Sequence, residues 1–276
     1  MFLPTTIKEV RERGWDSLDV ILFSGDAYID HPAFGPAVVG RLLEAEGYRV
    51  AIVPQPNWRD DLRDFAKLGP PRLFFGVSAG AMDSMVNHYT ANLRLRHDDA
   101  YTPGGKAGFR PDHAVTVYTR ILKRLYPHVP VVVGGIEASL RRLTHYDYWS
   151  DSLKPSVLAE SGADLLIYGM GERVVQQVAR ALRNGYNAKL LRRIRQVAFL
   201  ADESYVARLD PAATIRLHSY EECVRDKRAF GENFTVIETQ SNLMEPEATL
   251  VEPTGDRYVV VTPPNAPLTT EELDHS

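Results

Sequence analysis

VPVVVGGIEASLRR, residues 129–142, runs three valines into two glycines and then into an amphipathic stretch that opens with an acid. That is the order of a buried strand, a tight turn and a helix start. Glycines at such a junction let a ligand or another backbone approach closely. Working outward, the same unit recurs. DVILFSG at 19–25, YRVAIV at 48–53, RLFFGVS at 72–78 and ADLLIYG at 163–169 are also short apolar runs. Stretches of helical length separate them, at about 36–46, 59–67, 82–95, 112–126, 151–161 and 172–184. Strands apolar at nearly every position are covered on both faces. Their alternation with helices predicts a doubly wound, mostly parallel, Rossmann-like α/β sheet. Gly47 and Gly185 stand where helices should stop.

The rhythm changes twice. RHDDAYTPGGKAGFRP at 96–111 cannot continue either neighbouring element, and an insertion of that length is often functional or mobile. After about residue 186 come VAFLA at 197–201, a polar helix near 219–231, and ATLVEPTGDRYVVVTPP at 248–264, which reads as a β-hairpin. The expected organisation is an α/β domain over 1–190, a connector with a β-hairpin packing on it over 191–264, and a linker over 265–276.

Composition narrows the function classes. Of 276 residues, 32 are Lys or Arg and 36 Asp or Glu, for a net charge of −4. That balance carries no basic footprint for nucleic acid. A single cysteine, Cys223, excludes an intramolecular disulfide and a cysteine-held metal cluster within this chain. No apolar run reaches membrane-spanning length and no secretory signal is visible, so a cytoplasmic protein is expected.

Ligands of open parallel sheets bind beyond the carboxyl ends of the strands. SGDAYIDHPAFG at 24–35 offers Asp26 and His31 there. It approaches the DxHxxG pattern by which cobalamin domains place a histidine on cobalt, but with the wrong spacing, so helix capping competes with ligation. GVSAG at 76–80 matches the nucleophile elbow of serine hydrolases. In that reading Ser78 attacks, His218 is the base and Asp164 orients it; the alternative is close strand-to-helix packing by small residues. Gly134, Gly135, Glu137, Ser139 and Arg141 follow the fourth strand, as cap or as ligand grip. Gly169, Gly171 and Glu172 follow the fifth, where an acid also complements a helix dipole. Asp83 and Asn87 share a helix face, and HYDYWSD at 145–151 either stacks a planar ligand or fills a seam.

Taken together, GVSAGAMDSMVNHYTA, HDDAYTPGG, RPDHAVTVYTR, VVVGGIEASLRRLTHYDYWSDSLKPSVL and ADLLIYGMGER resemble the N-terminal region of an uncharacterised family of radical S-adenosylmethionine (radical SAM) proteins. The resemblance spans the chain in order. It implies a Rossmann-like module related to cobalamin-binding domains, preceding a catalytic domain in cis. In that domain a CxxxCxxC motif holds a [4Fe–4S] cluster that cleaves S-adenosylmethionine to a 5′-deoxyadenosyl radical. None of those cysteines lies in this chain, so no cofactor is expected within it, and cobalamin is doubtful because of the His31 spacing. The implied role is an accessory domain shaping a pocket over the catalytic centre, for a small-molecule substrate the sequence does not identify. A stand-alone corrinoid- or nucleotide-binding module and a serine hydrolase using Ser78 remain as alternatives.

Overall fold

The computed structural model describes residues 2–275. Among them the strands are β1 (Val20–Ser24), β2 (Val50–Pro54), β3 (Phe74–Ser78), β4 (Val131–Val133), β5 (His145–Asp147), β6 (Ser152–Lys154), β7 (Leu165–Ile167), β8 (Val197–Ala201), β9 (Thr214–Arg216), β10 (Thr249–Thr254) and β11 (Arg257–Val261). Nine of them form one sheet in the order β2-β1-β3-β4-β7-β8-β11-β10-β9, and β5 and β6 form a separate hairpin. β2, β1, β3, β4 and β7 are mutually parallel, in register Val20↔Val50, Val20↔Phe74 and Phe75↔Val131. The doubly wound, mostly parallel fold expected from the strand runs is present.

Period-two alternation sorts the apolar side chains onto two faces. Phe23, Phe75, Val77 and Val133 pack with Val115, Tyr118 and Leu122 of the helix Ala114–Leu125. Leu22, Phe74, Val132 and Ile167 pack on the other face with Leu43 of the helix Gly35–Ala45 and Val174, Val175 and Val178 of the helix Glu172–Arg183. Each such buried side chain contributes about 1.5–3 kcal/mol of transfer free energy. Residues after 190 continue this same sheet: β8 pairs antiparallel with β7, and the hairpin β10–β11 pairs with β8.

Several helices are shorter than their sequence patterns. The stretch 82–95 holds a helix only over Ser84–His88, since Tyr89 turns extended and the chain bridges back at Tyr89↔Leu95. The stretch 59–67 is helical only over Arg63–Ala66, because Leu62 adopts a left-handed conformation. The stretch 151–161 splits into β6 and the helix Val157–Ser161, with Pro155 between them. The polar helix near 219–231 becomes two, Tyr220–Arg225 and Lys227–Ser241, each capped by its own side chain, Ser219 and Asp226.

Candidate functional site

The strand order reverses between β1 and β3, and in such sheets a crevice opens there beyond the carboxyl ends. A cavity of about 330 Å³ occupies this place, between the helices Gly35–Ala45 and Glu172–Arg183 and over the β3–β4–β7 strand ends. Its floor includes Gly76, where a Cβ would come within 2.6 Å of Leu22 Cδ2. Its rim is built from the two glycine turns. Gly135 has φ +83°, a region that favours glycine, and a Cβ there would lie 2.8 Å from Ser78 Oγ. Ser139 Oγ donates to the Gly135 carbonyl (2.8 Å) and accepts from the Gly169 amide (3.1 Å), tying the turn after β4 to the turn after β7.

Two helix N-termini meet this cavity without side-chain caps, at Phe34 and at Gly171; at the first, Pro36 has no amide and Ala37 and Val38 donate to the Phe34 carbonyl, so the Gly171 end is the richer in donors. Uncapped first-turn amides attract oxygen-rich or anionic groups. Glu172 stands among them, and its Oε2 is buried without a partner among the described residues. A carboxylate oxygen so placed accepts hydrogen bonds from hydroxyl or amino groups. Apolar walls, amide donors and one acceptor suit a ligand with both a flat apolar part and a polyhydroxyl part.

The sequence-predicted residues therefore divide. Ser78, Gly134, Gly135, Gly169, Gly171 and Glu172 line the cavity, with Ser139 behind them. Asp26 does not. It accepts from the Ala81 amide (2.6 Å) and pairs with Arg110 (2.8 Å), and burial holds its carboxyl above the ordinary range against both contacts. Asp83 caps the helix Ser84–His88 and pairs with Arg141, whose ionisation burial opposes. Glu137, also buried, accepts from the Ser84 amide (2.8 Å) and the Val115 amide (2.9 Å), so one carboxylate caps two helices. Asn87 lines a different cavity. The segment 145–151 turns its aromatics onto the insertion: Tyr148 donates to the Ala91 carbonyl and Trp149 lies against Tyr89.

The hydrolase reading fails on geometry. Ser78 Oγ accepts from the Gly80 amide at the carboxyl end of β3. Asp164 precedes β7, at the amino end of that parallel strand and so at the opposite end of the sheet, held by Lys123 and the Val131 amide. His218 follows β9, six strands from β3 in the sheet order, which is roughly 30 Å at the usual strand spacing. It binds Glu232 instead. The three groups form no triad.

His31 does not present a metal ligand either. It is exposed, its Nδ1 accepts from the Ala33 amide (3.1 Å), and its neighbour Asp30 pairs with Arg41. Among the described residues no group of three His, Cys, Asp or Glu could hold a metal ion, and no helix is long and apolar enough to cross a membrane.

Sequence reasoning missed two positions. Gln196, at φ +65°, donates to the Tyr168 and Met170 carbonyls and accepts from the Asn265 amide, fixing the β7 turn to the C-terminal segment. Its signal was only a polar residue ahead of VAFLA. The other is Arg110, a loop residue whose buried guanidinium pairs with Asp26 and Asp99.

The sequence profile that describes the radical SAM N-terminal region matches residues 2–276. The chain belongs to this radical SAM N-terminal family. A UPF0313 protein of Porphyromonas gingivalis is 61% identical over 276 residues, covering 100% of this chain and 43% of that protein. One from Bacteroides thetaiotaomicron is 56% identical, covering 100% of this chain and 46% of its own length. One from Thermotoga neapolitana is 46% identical, with 99% and 47% covered. The chain thus spans less than half the length of these relatives. Among solved structures, the radical S-adenosylmethionine methyltransferase TsrM from Kitasatospora setae, with tryptophan and a SAM analogue bound, is similar at 19% identity and a TM-score of 0.42. That likeness covers 65% of this chain and 28% of TsrM.

Proposed function

We propose that this chain is the accessory N-terminal module of a radical SAM protein, and that its glycine-rimmed cavity holds part of the substrate or of a cofactor presented to a catalytic domain in cis. The segment 265–276 would lead to that domain, and the length of the relatives supports such a further part. The observation that carries the reading is the cavity itself: two uncapped helix N-termini, two glycine turns and the unpartnered Glu172 converge at the switch point of the sheet.

The residues present do not fit a cluster or a cobalt ligand. Cys223 is buried, accepts from Asn233, and its thiol is pushed up to about 11, chiefly by burial, so it supplies no ready thiolate. The [4Fe–4S] cluster and S-adenosylmethionine that the family's name implies would then belong to the catalytic domain. The role of this chain's own residues is binding and orientation. The first-turn amides of the helix Glu172–Arg183, with the Gly35 amide, would grip an oxygen-rich group, Glu172 would accept from its hydroxyls, and Leu22, Val39 and Ile167 would exclude water around its apolar part.

The test uses the native protein purified anaerobically from its own cells, beside a Val39→Trp variant that fills the cavity. Expected are an intact mass well above 31.0 kDa, bound iron and sulfide in both proteins, and a small molecule that co-purifies with wild type and is lost from the variant. A native mass near 31.0 kDa without iron overturns the accessory role. Equal ligand content in the two proteins overturns the assignment of the cavity.

A further inference from the structure

A second cavity, of about 390 Å³, shares no lining residue with the first. It lies between the helix Ser84–His88 and the insertion that follows it, with Trp58 and Arg59 on its other side. Two adjacent residues of its wall are deeply buried yet incompletely bonded. Asn87 is 6% exposed and its Nδ2 has no partner; His88 is 9% exposed and its Nε2 has none. Buried polar atoms left unpaired are rare and costly, about 1–3 kcal/mol each, so two on adjacent residues call for an explanation.

The histidine is held in one orientation. Its Nδ1 lies 2.6 Å from Asp112 Oδ1, and Tyr89 donates its hydroxyl to Asp112 Oδ2 (2.8 Å). A carboxylate can only accept, so Nδ1 carries the proton and Nε2 is the ring atom left for a ligand. Both oxygens of Asp112, the acid of the wall, are thereby engaged.

The cations of the wall are not engaged in the same way. Arg59 and Arg96 have no carboxylate within ion-pair distance among the described residues. Arg59 stacks on Trp58, 4.6 Å from the ring centroid, Arg96 donates from Nε to the Tyr89 carbonyl, and both arginines are exposed. In a chain of net charge −4, two unpaired guanidiniums beside buried amide and imidazole nitrogens are a local reversal of sign.

We propose that this second cavity binds a small organic dianion, its acid groups bridged by Arg59 and Arg96, and its inner oxygens reached by Asn87 Nδ2 and by the Nε2–H of His88 as an imidazolium, the form that the Asp112 carboxylate at Nδ1 supports. Carboxylates and phosphates share this chemistry, since both offer acceptor oxygens in a geometry that guanidinium matches. Binding would satisfy the two orphaned side chains and neutralise the two free cations together. The site acts independently of the glycine-rimmed cavity, so its failure would leave the accessory-module reading untouched.

Trp58 gives the readout. The intact protein is titrated with malonate and, separately, with inorganic phosphate at constant ionic strength, with chloride as control, while tryptophan emission is followed. Saturable quenching by malonate alone identifies carboxylates, and by phosphate alone phosphates. Trp58→Phe should abolish the signal, and Arg96→Gln or Arg59→Gln, at exposed positions that fold independently of the site, should weaken binding roughly tenfold, as expected for a lost charge-assisted hydrogen bond. No saturation with either anion, or unchanged affinity in both arginine variants, overturns the proposal.

Discussion

Arg110 and Asp26 meet 2.8 Å apart with both side chains sealed from solvent, joining the end of an irregular insertion to the turn after the first strand. Arg110 also reaches Asp99 and donates to the Ala79 carbonyl (2.9 Å). One guanidinium thereby binds the turns after β1 and β3, which flank the switch point, to the loop 96–111. That loop is accordingly fastened at its base, although its composition predicts freedom.

Arg110→Met should be strongly destabilising, because it leaves Asp26 and Asp99 buried without their counter-charge. Breaking a buried pair from one side costs about 3–5 kcal/mol. Urea denaturation at neutral pH should show the midpoint falling with little change in slope. Adding Asp26→Asn and Asp99→Asn should return part of the loss, since neutral amides no longer need the cation. A variant as stable as wild type would mean the network contributes nothing net.

Gly135→Ala should also destabilise, for two separable reasons. A left-handed backbone costs a side-chain-bearing residue roughly 1–2 kcal/mol, and the new methyl would stand 2.8 Å from Ser78 Oγ. Ser78→Ala removes that oxygen, together with its hydrogen bond from Gly80, at about 1 kcal/mol. The double variant should therefore lose less than the sum of the two single losses. Strict additivity in a double-mutant cycle would show that the contact does not exist.

Two buried groups give opposite pH slopes. Glu252 on β10 accepts from the Thr144 amide and hydroxyl, and burial raises its carboxyl to about 7 from 4.5. Between those values the native state holds a proton the unfolded chain has released, so this group's contribution falls as pH rises, by at most about 3 kcal/mol. His145 is lowered by burial to about 4 from 6.5, so its contribution rises with pH over that interval. From about pH 4.5 to 6.5 the two offset. Glu252→Gln, which mimics the protonated acid, should expose the rising histidine slope and exceed wild-type stability above pH 7. Denaturation midpoints at pH 5, 6, 7 and 8 decide it; parallel profiles would refute the assignment.

The contrast between what was legible and what was not follows from range. Apolar runs reveal strands because two-sided burial acts on consecutive residues, and β1 to β4 and β7 lie where VILFS, VAIVP, FFGVS, VVV and LLI indicate. The glycine turns were visible for the same reason, since Gly135 and Gly169 answer a local backbone demand. The roles of Asp26, Asp83 and Glu137 were not, because their partners lie 84, 58 and 53 or 22 positions away for Arg110, Arg141, and the Ser84 and Val115 amides. An acid that caps a distant helix reads, in sequence, like an acid that grips a ligand. His88 and Asp112 are likewise 24 residues apart, with no spacing rule to join them.

His31 is not expected to ligate cobalt. The loop DAYIDHPAFG approaches a histidine-ligation pattern, yet His31 Nδ1 already accepts from the Ala33 amide and Asp30 is committed to Arg41. A ligating histidine generally has its second nitrogen oriented by a carboxylate or carbonyl acceptor, which raises its basicity. Here that nitrogen is itself an acceptor, so the ring lacks the supporting contact and stands exposed outside the cavity wall. Adding hydroxocobalamin to the purified protein should therefore leave the corrinoid spectrum free of any change that depends on His31, and His31→Ala should titrate like wild type. A spectral shift present in wild type and abolished by His31→Ala would show that the loop rearranges to ligate cobalt, and would make this chain a corrinoid carrier despite its altered spacing.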